Sequence, residues 1–154
     1  TVGTLWNSPL VRETLQIPSG EDRPDGMILG YPVITSGAYT HEDSIKFLLG
    51  EDRYQDEKER EKVSVEKLVN RDTPKAFLWH TFEDDLVPVE NTLKMADALR
   101  KEGVLFEMHI YPHGPHGLAI CDETTVDVKE NLNPYAAYVS SWVEHCIRWI
   151  REVL

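Results

Sequence analysis

Two short segments hold most of the side chains that could carry out proton-transfer chemistry. Residues 81–88 follow one apolar run and are rich in acids, and residues 112–118 follow another apolar run and contain two histidines. A carboxylate can hold an imidazole in one tautomer while the imidazole takes a proton from a hydroxyl group. The candidates are Glu83, Asp84, Asp85, His113 and His116. An acid followed by a histidine, each in its own segment, therefore predicts nucleophilic or acid–base chemistry.

Three apolar segments predict the strands that would position these side chains. Residues 27–34 and 75–80 are nearly continuous apolar runs, which are typical of strands covered on both faces of a parallel sheet. Residues 104–111 alternate between apolar and polar side chains. Helical patterns between the strands predict an α/β fold with helices on both faces of the sheet. Because ligands bind such sheets at the carboxyl ends of the strands, both candidate segments are expected at one edge.

The segments between and after the strands predict helices. Residues 93–103 carry apolar side chains at helical spacing and end in a glycine, and residues 135–150 carry a longer apolar stripe that we expect in the core. Residues 51–62 are almost all charged, which predicts a solvated helix face. Residues 64–69 predict a short helix capped by its first serine. The whole interval 35–72 is interpreted as a lid-like helical insertion between two strands.

Two motifs resemble those of the acetyl-esterase and feruloyl-esterase-like α/β-hydrolases, a group associated with xylanases. They are WHTFEDDLVPVEN at residues 79–91 and YPHGPHGL at residues 111–118, and the similarity extends over residues 24–154. In that family the acid begins an Asp-x-x-Val-Pro pattern, which falls on Asp84. The family's histidine precedes Gly-Leu or Gly-Phe, which falls on His116. The resemblance implies one partial domain over residues 1–154, the C-terminal part of an α/β-hydrolase fold.

The same resemblance implies a carboxylic-ester hydrolase that acts on small acyl esters, such as acetyl esters of sugars. His116 would accept the proton of an attacking serine, and Asp84 would orient the imidazole and stabilise its charged form. No serine of the sequence lies in a Gly-x-Ser-x-Gly turn. The family pattern places that serine shortly before Thr1, so we expect the nucleophile half to be absent and this chain alone to be inactive.

Other residues offer alternatives that we consider weaker. Asp85 could replace Asp84 as the acid, and His113 is expected to have a structural role. A metal site built from His109, His113 and His116 is not expected, because the end of a strand separates the first from the other two. Cys121 has no strand-to-helix turn around it and is expected to be an ordinary thiol. No cofactor is expected.

The charge of the chain argues against two classes of partner. The sequence has 16 Lys and Arg against 27 Asp and Glu, for a formal net charge of -11. Such a protein repels nucleic acid and anionic membrane surfaces. No apolar run reaches the about 20 residues of a membrane helix. We therefore expect a small-molecule ester as partner, with no nucleic acid and no membrane; a cytoplasmic location is favoured, although the sequence does not determine it.

Two other functions fit the same sequence. A prolyl-oligopeptidase-type serine peptidase also has a His-x-x-x-Asp-x-x-Val-Pro motif, which matches residues 80–88. Alternatively, the chain is a non-catalytic interaction module, because residues 27–34 would expose an open strand edge if the neighbouring strand is not part of it. Because of this open edge we expect self-association or assembly with an N-terminal half.

Overall fold

The computed structural model of the protein describes residues 2–16, 18, 21–122, 125 and 135–154. The strands are β1 (Gly26–Gly30), β2 (Lys75–Thr81) and β3 (Phe106–Tyr111). The helices are α1 (Val2–Leu5), α2 (Pro9–Leu15), α3 (Glu42–Leu49), α4 (Glu51–Tyr54), α5 (Glu57–Lys62), α6 (Glu90–Lys101), α7 (Ala136–Val139) and α8 (Ser141–Val153). A single 3-10 turn, Val65–Lys67, lies between α5 and β2 in the described part of the chain.

The three strands form one parallel sheet in the order β1-β2-β3, which confirms the predicted α/β class. In the register of β2 and β3, Thr81 pairs with Tyr111. Both strands therefore end at the same level, and the loops that follow them leave the sheet side by side. Of the described helices, none is long and apolar enough to cross a membrane.

The central strand β2 divides the core into two layers. Phe77 and Trp79 face α8 and pack with its buried Trp149, whereas Leu78 lies on the opposite face with Leu99 of α6. Each of these side chains is at most 2% exposed. Burial of a large apolar side chain contributes roughly 1.5–3 kcal/mol, so β2 is the most firmly held strand and a rigid support for the loop after it.

The first strand is shorter than predicted, since residues 31–34 leave the sheet. Tyr31 still donates its backbone N–H to the Trp79 carbonyl oxygen, but its φ is +36° and Pro32 has no N–H to donate. Ile34 N and Thr35 N donate instead to Asn91 Oδ1, at 2.9 and 3.0 Å. The apolar run thus continues past the strand because Ile34 packs with α6 and Val33 packs against a cluster of Ile45, Leu49 and Tyr54. The third strand likewise begins two residues later than predicted, at Phe106.

Two helix predictions also need correction. The 3-10 turn replaces the helix predicted over residues 64–69, and the Ser64 hydroxyl accepts a hydrogen bond from Ser36 N (2.9 Å) rather than capping the turn. The helix predicted over residues 135–150 is divided into α7 and α8 at Ser140. The predicted stripe is only partly buried, and three of its members are exposed: Tyr135, Tyr138 and Ile150.

The interval 35–72 contains three short helices, α3 to α5, between β1 and β2. They have a small core of their own, made by Ile45, Leu49 and Tyr54. The charged run predicted to be a solvated helix face corresponds to α4 and α5, and α5 has no buried residue. That this helical insertion acts as a lid stays a prediction.

Candidate active site

The structure brings Asp84 and His116 into direct contact. His116 Nδ1 lies 2.7 Å from Asp84 Oδ2; the Asp84 side chain is fully buried and that of His116 is 25% exposed. Asp84 follows β2 and His116 follows β3, so the pair lies at the carboxyl edge of the sheet. When Nδ1 donates to the carboxylate, the neutral imidazole has its lone pair on Nε2, the atom that can accept a proton.

Four donors hold the Asp84 carboxylate. Oδ1 accepts from the backbone N–H groups of Leu86 (3.1 Å) and Val87 (2.8 Å). Oδ2 is shared by His116 and by a second histidine, His80, whose Nε2 lies 3.0 Å away. These bonds compensate for the burial of the charge and leave the carboxylate little freedom to turn. Asp84 is therefore a rigid acceptor for the imidazole of His116.

His80 is a part of this site to which the sequence analysis assigned no role. It is fully buried, with Nε2 also 2.9 Å from the Val87 carbonyl oxygen and Nδ1 2.7 Å from Thr92 Oγ1. A carbonyl oxygen only accepts, so Nε2 carries a proton. Burial lowers the pKa of His80 by more than the negative charge of Asp84 raises it. The lowered pKa favours the neutral ring. The Thr92 hydroxyl then donates to Nδ1, and α6 thereby fixes the ring that supports Asp84.

One signal for His80 was present in the sequence. His80 is the last residue of the apolar run over residues 75–80 and stands four residues before Asp84. A histidine on a strand with no exposed residue in it must find hydrogen-bond partners inside the protein. The acid on the adjoining loop is within reach of such a ring.

Tyr31 contacts the other side of the site. Its ring meets that of His116 edge-on at 4.8 Å and that of Trp79 at 4.9 Å, and its hydroxyl accepts from Ala119 N at 3.2 Å. The positive φ of Tyr31 is a strained conformation for a residue with a side chain. The strain at the end of β1 thus coincides with the placement of an aromatic ring against His116. Sequence reasoning missed this role, because Tyr31 looked like part of a strand.

A second histidine–carboxylate pair lies nearby in solvent. His113 Nδ1 is 2.8 Å from Glu83 Oε1, and the two side chains are 45% and 52% exposed. The hydrogen bond from His113 lowers the pKa of Glu83. Asp85, the alternative acid, is exposed. Cys121 is buried, and burial raises the pKa of its thiol, so it is not an activated nucleophile.

The three histidines considered for a metal site have different carboxylate partners. His109 Nε2 lies 2.8 Å from Glu107, whereas His113 contacts Glu83 and His116 contacts Asp84. They do not converge on one point in the structure.

Known proteins share both the sequence pattern and the fold of this chain. The pattern of the prolyl oligopeptidase family matches residues 23–145. Endo-1,4-beta-xylanase B from Butyrivibrio fibrisolvens is 46% identical over 101 residues, which are 66% of this chain and 16% of the xylanase. The family pattern thus includes both Asp84 and His116.

Solved structures agree with this relationship. An acetyl ester-xyloside bifunctional hydrolase from Caldicellulosiruptor lactoaceticus is 42% identical, with a TM-score of 0.73 over 86% of this chain and 43% of that one. A carboxylesterase from Lactobacillus plantarum is 26% identical, with a TM-score of 0.75 over 97% of this chain and 52% of that one. The chain thus spans about half the length of these structures. The resemblance to esterase-type α/β-hydrolases is confirmed, and this chain belongs to the prolyl oligopeptidase family of α/β-hydrolases.

Proposed function

We propose that this chain supplies the acid and the histidine of a carboxylic-ester hydrolase for small acyl esters, such as acetyl esters of sugars. The observation that carries the proposal is the 2.7 Å contact between His116 and the fully buried Asp84 at the carboxyl edge of the sheet. The names of two relatives support the substrate class, since one is an acetyl ester-xyloside hydrolase and the other a carboxylesterase.

The proposed reaction uses a serine as nucleophile. As the serine oxygen attacks the ester carbonyl carbon, His116 Nε2 takes the hydroxyl proton and then gives it to the leaving alcohol. Asp84 stabilises the imidazolium that forms between these two transfers. Water activated by the same imidazole then releases the acid from the acyl-enzyme. His80 acts as a positioning residue, because it contacts the carboxylate and not the ring of His116.

We propose that the serine comes from a segment other than these 154 residues, because no serine in the sequence stands in a Gly-x-Ser-x-Gly pattern. β1 pairs only with β2 in the described sheet, and its Ile28 is 49% exposed. A groove of about 410 Å³ runs beside this strand. Its lining includes Val2, Gly3, Met27, Leu29, Val33 and Met95. An additional strand that pairs with β1 would bring a nucleophile to the edge where His116 lies.

The peptidase alternative has weaker support. It rests on the name of the family and on an acylaminoacyl peptidase from Pyrococcus horikoshii that is 14% identical, a likeness that shows the fold alone. The relatives with higher identity are named as hydrolases of esters or as a xylanase. An ester substrate is therefore the better proposal.

A hybrid enzyme tests the proposal. Residues 1–154 would replace the matching part of the Caldicellulosiruptor hydrolase, and hydrolysis of p-nitrophenyl acetate would be compared among the hybrid, its His116→Ala variant and its His113→Ala control. We expect a loss of about 10³-fold or more for His116→Ala and little change for His113→Ala. A folded, active hybrid that keeps its rate after His116→Ala would contradict the proposed role of that histidine.

Two further substrates separate the finer alternatives. Acetylated xylo-oligosaccharides should release acetate with the hybrid, and a prolyl p-nitroanilide should remain intact. Hydrolysis of the anilide alone would favour the peptidase. The unfused chain should hydrolyse p-nitrophenyl acetate no faster than its own His116→Ala variant, because free imidazole groups account for the slow background.

The open edge of β1 supports a second candidate, a module that self-associates by strand pairing. Sedimentation velocity over a range of concentrations tests it. A monomer at every concentration would exclude the self-association hypothesis, and assembly with another segment would remain as the alternative.

A further inference from the structure

Three side chains of the kinds that can bind a metal ion lie between β3 and α8. Glu107 and His109 are two residues apart on β3, and His145 is on α8. One ligand atom from each lies within 4.8 Å of those of the other two, and all three residues are partly buried. Glu107 and His109 are also in direct contact, with 2.8 Å between Oε1 and Nε2.

The fold explains why these residues meet. Residues two apart on a strand point to the same face of the sheet, and in the β2–β3 register Glu107 and His109 lie opposite Phe77 and Trp79. That face is the one covered by α8. The ring of His145 stacks on that of His109, with centroids 4.5 Å apart and planes 14° apart. Two imidazoles and one carboxylate are thus held together by two packed elements.

We propose that Glu107, His109 and His145 bind one zinc-class divalent transition-metal ion, with a water in the fourth position. Imidazole and carboxylate ligands in a two-to-one ratio are a set that zinc accepts. Bonds of about 2.0–2.2 Å place the ligand atoms of a tetrahedral ion about 3.3–3.6 Å apart. Ligand atoms at the outer limit of 4.8 Å would have to approach by about 1 Å, whereas the Glu107–His109 pair, now 2.8 Å apart, would have to open slightly. One of the two stacked imidazoles would also have to turn so that both ring nitrogens point to the ion. The Glu107 side chain, 40% exposed, is free to follow this change.

The ion would join β3 to α8. It would replace the contact between the Glu107 carboxylate and the His109 ring, and the acidic chain favours the approach of a cation. The site is separate from the candidate active site, because it includes neither Asp84 nor His116. Its expected effect is on the stability of the strand that leads into the His116 loop, since a ligand that binds only the folded state stabilises that state.

Calorimetric titration of the untagged, EDTA-dialysed chain with zinc chloride tests the proposal. We expect one ion per chain and, at about 100 times the dissociation constant, a melting midpoint higher by about 5–10 °C. Loss of an outer-shell partner typically weakens metal binding about 10- to 100-fold. We expect His109→Gln or His145→Gln, each of which removes a direct ligand, to weaken it at least as much. Cobalt(II) should give the absorption bands of a tetrahedral complex with the unchanged chain and not with His109→Gln or His145→Gln.

His113→Gln is the matched control, because His113 has a carboxylate at the same 2.8 Å but is in no group of three metal-binding side chains among the described residues. It should bind zinc as the unchanged chain does. Glu107→Gln, at a more exposed position, is the substitute if His145→Gln loses its far-ultraviolet circular dichroism. The proposal is overturned if the chain binds no zinc, or if binding survives in the His109 and Glu107 variants. Binding that is lost only in His113→Gln would also overturn it.

Discussion

Two histidine–carboxylate pairs lie on the same two loops and have almost the same length. His116 and Asp84 are 2.7 Å apart, and His113 and Glu83 are 2.8 Å apart. Their surroundings differ. The Asp84 carboxylate is fully buried and receives two backbone N–H groups and a second histidine, whereas Glu83 is half exposed and receives one weak backbone contact, from Gly114 N at 3.4 Å.

The difference shows that two pairs of almost equal length can be held very differently. An exposed pair is screened by water and loses side-chain entropy when it forms, so it contributes little. A buried carboxylate with several donors holds its partner in one orientation and costs no rearrangement during the reaction. The following predictions test whether the buried and the exposed pair differ in these ways.

The largest expected effect is on catalysis. In the hybrid enzyme, Asp84→Asn should lower kcat for p-nitrophenyl acetate by about 10⁴-fold, because an amide favours the wrong tautomer of the histidine. Glu83→Gln, the equivalent change in the exposed pair, should leave kcat within about twofold, as expected for a surface change remote from the reacting atoms. Equal losses in the two variants would mean that the pairs do not differ in role.

The next effect is on stability. Asp84→Ala should lower the free energy of unfolding of the chain by about 3–5 kcal/mol, because it leaves buried donors without an acceptor. Those donors include the backbone N–H groups of Val87 and Leu86. Glu83→Ala should change the urea midpoint little. Urea denaturation followed by tryptophan fluorescence measures both, and an Asp84→Ala variant as stable as the unchanged chain would refute the proposed anchoring.

The third prediction concerns how stability depends on pH through His80, the additional histidine that contacts Asp84 of the buried pair. Since the pKa of His80 is lowered in the folded chain, the unfolded chain binds more protons below its ordinary pKa of about 6.5. Stability should therefore be fully present above about pH 6.5 and decline below it, by up to about 1.4 kcal/mol per pH unit for this one group. Urea midpoints at several pH values should show a shallower decline in His80→Gln. An unchanged slope would exclude His80 as its source.

The smallest effect belongs to the exposed pair and lies in a different pH range. The pKa of Glu83 is lowered in the folded chain, so its contribution is present above the ordinary carboxyl pKa of about 4.3 and is lost as the pH falls through the lowered value. His113→Gln should return the pKa of Glu83 toward its ordinary value, and added salt should have a similar effect. Carbon-13 NMR titration of the carboxyl group measures it; a pKa that does not move would show that His113 is not the cause.

Much of the architecture was predictable because it depends on local pattern. Apolar runs located the first two strands and alternation located the third, and the acid and histidine after the second and third strands indicated where the candidate site would lie. The errors occurred where a long-range contact decides a local conformation. Residues 31–34 resemble a strand, yet Asn91 Oδ1 accepts the backbone N–H groups of Ile34 and Thr35. At the end of β1, a Cβ on Gly30 would lie only 2.7 Å from Trp79 Nε1.

By itself the sequence determined the α/β class, the order of the three strands along the chain and the pairing of Asp84 with His116 as candidates. Only the tertiary structure decided that His80 supports Asp84, that Tyr31 packs on His116, and that His145 meets His109. The physical reason is that each of these contacts joins elements far apart along the chain, or a buried ring to a loop. The packing of the helices on the sheet determines which side chains share a buried volume. The periodicity of one segment shows which of its own faces is buried, but not which side chains of other segments it meets.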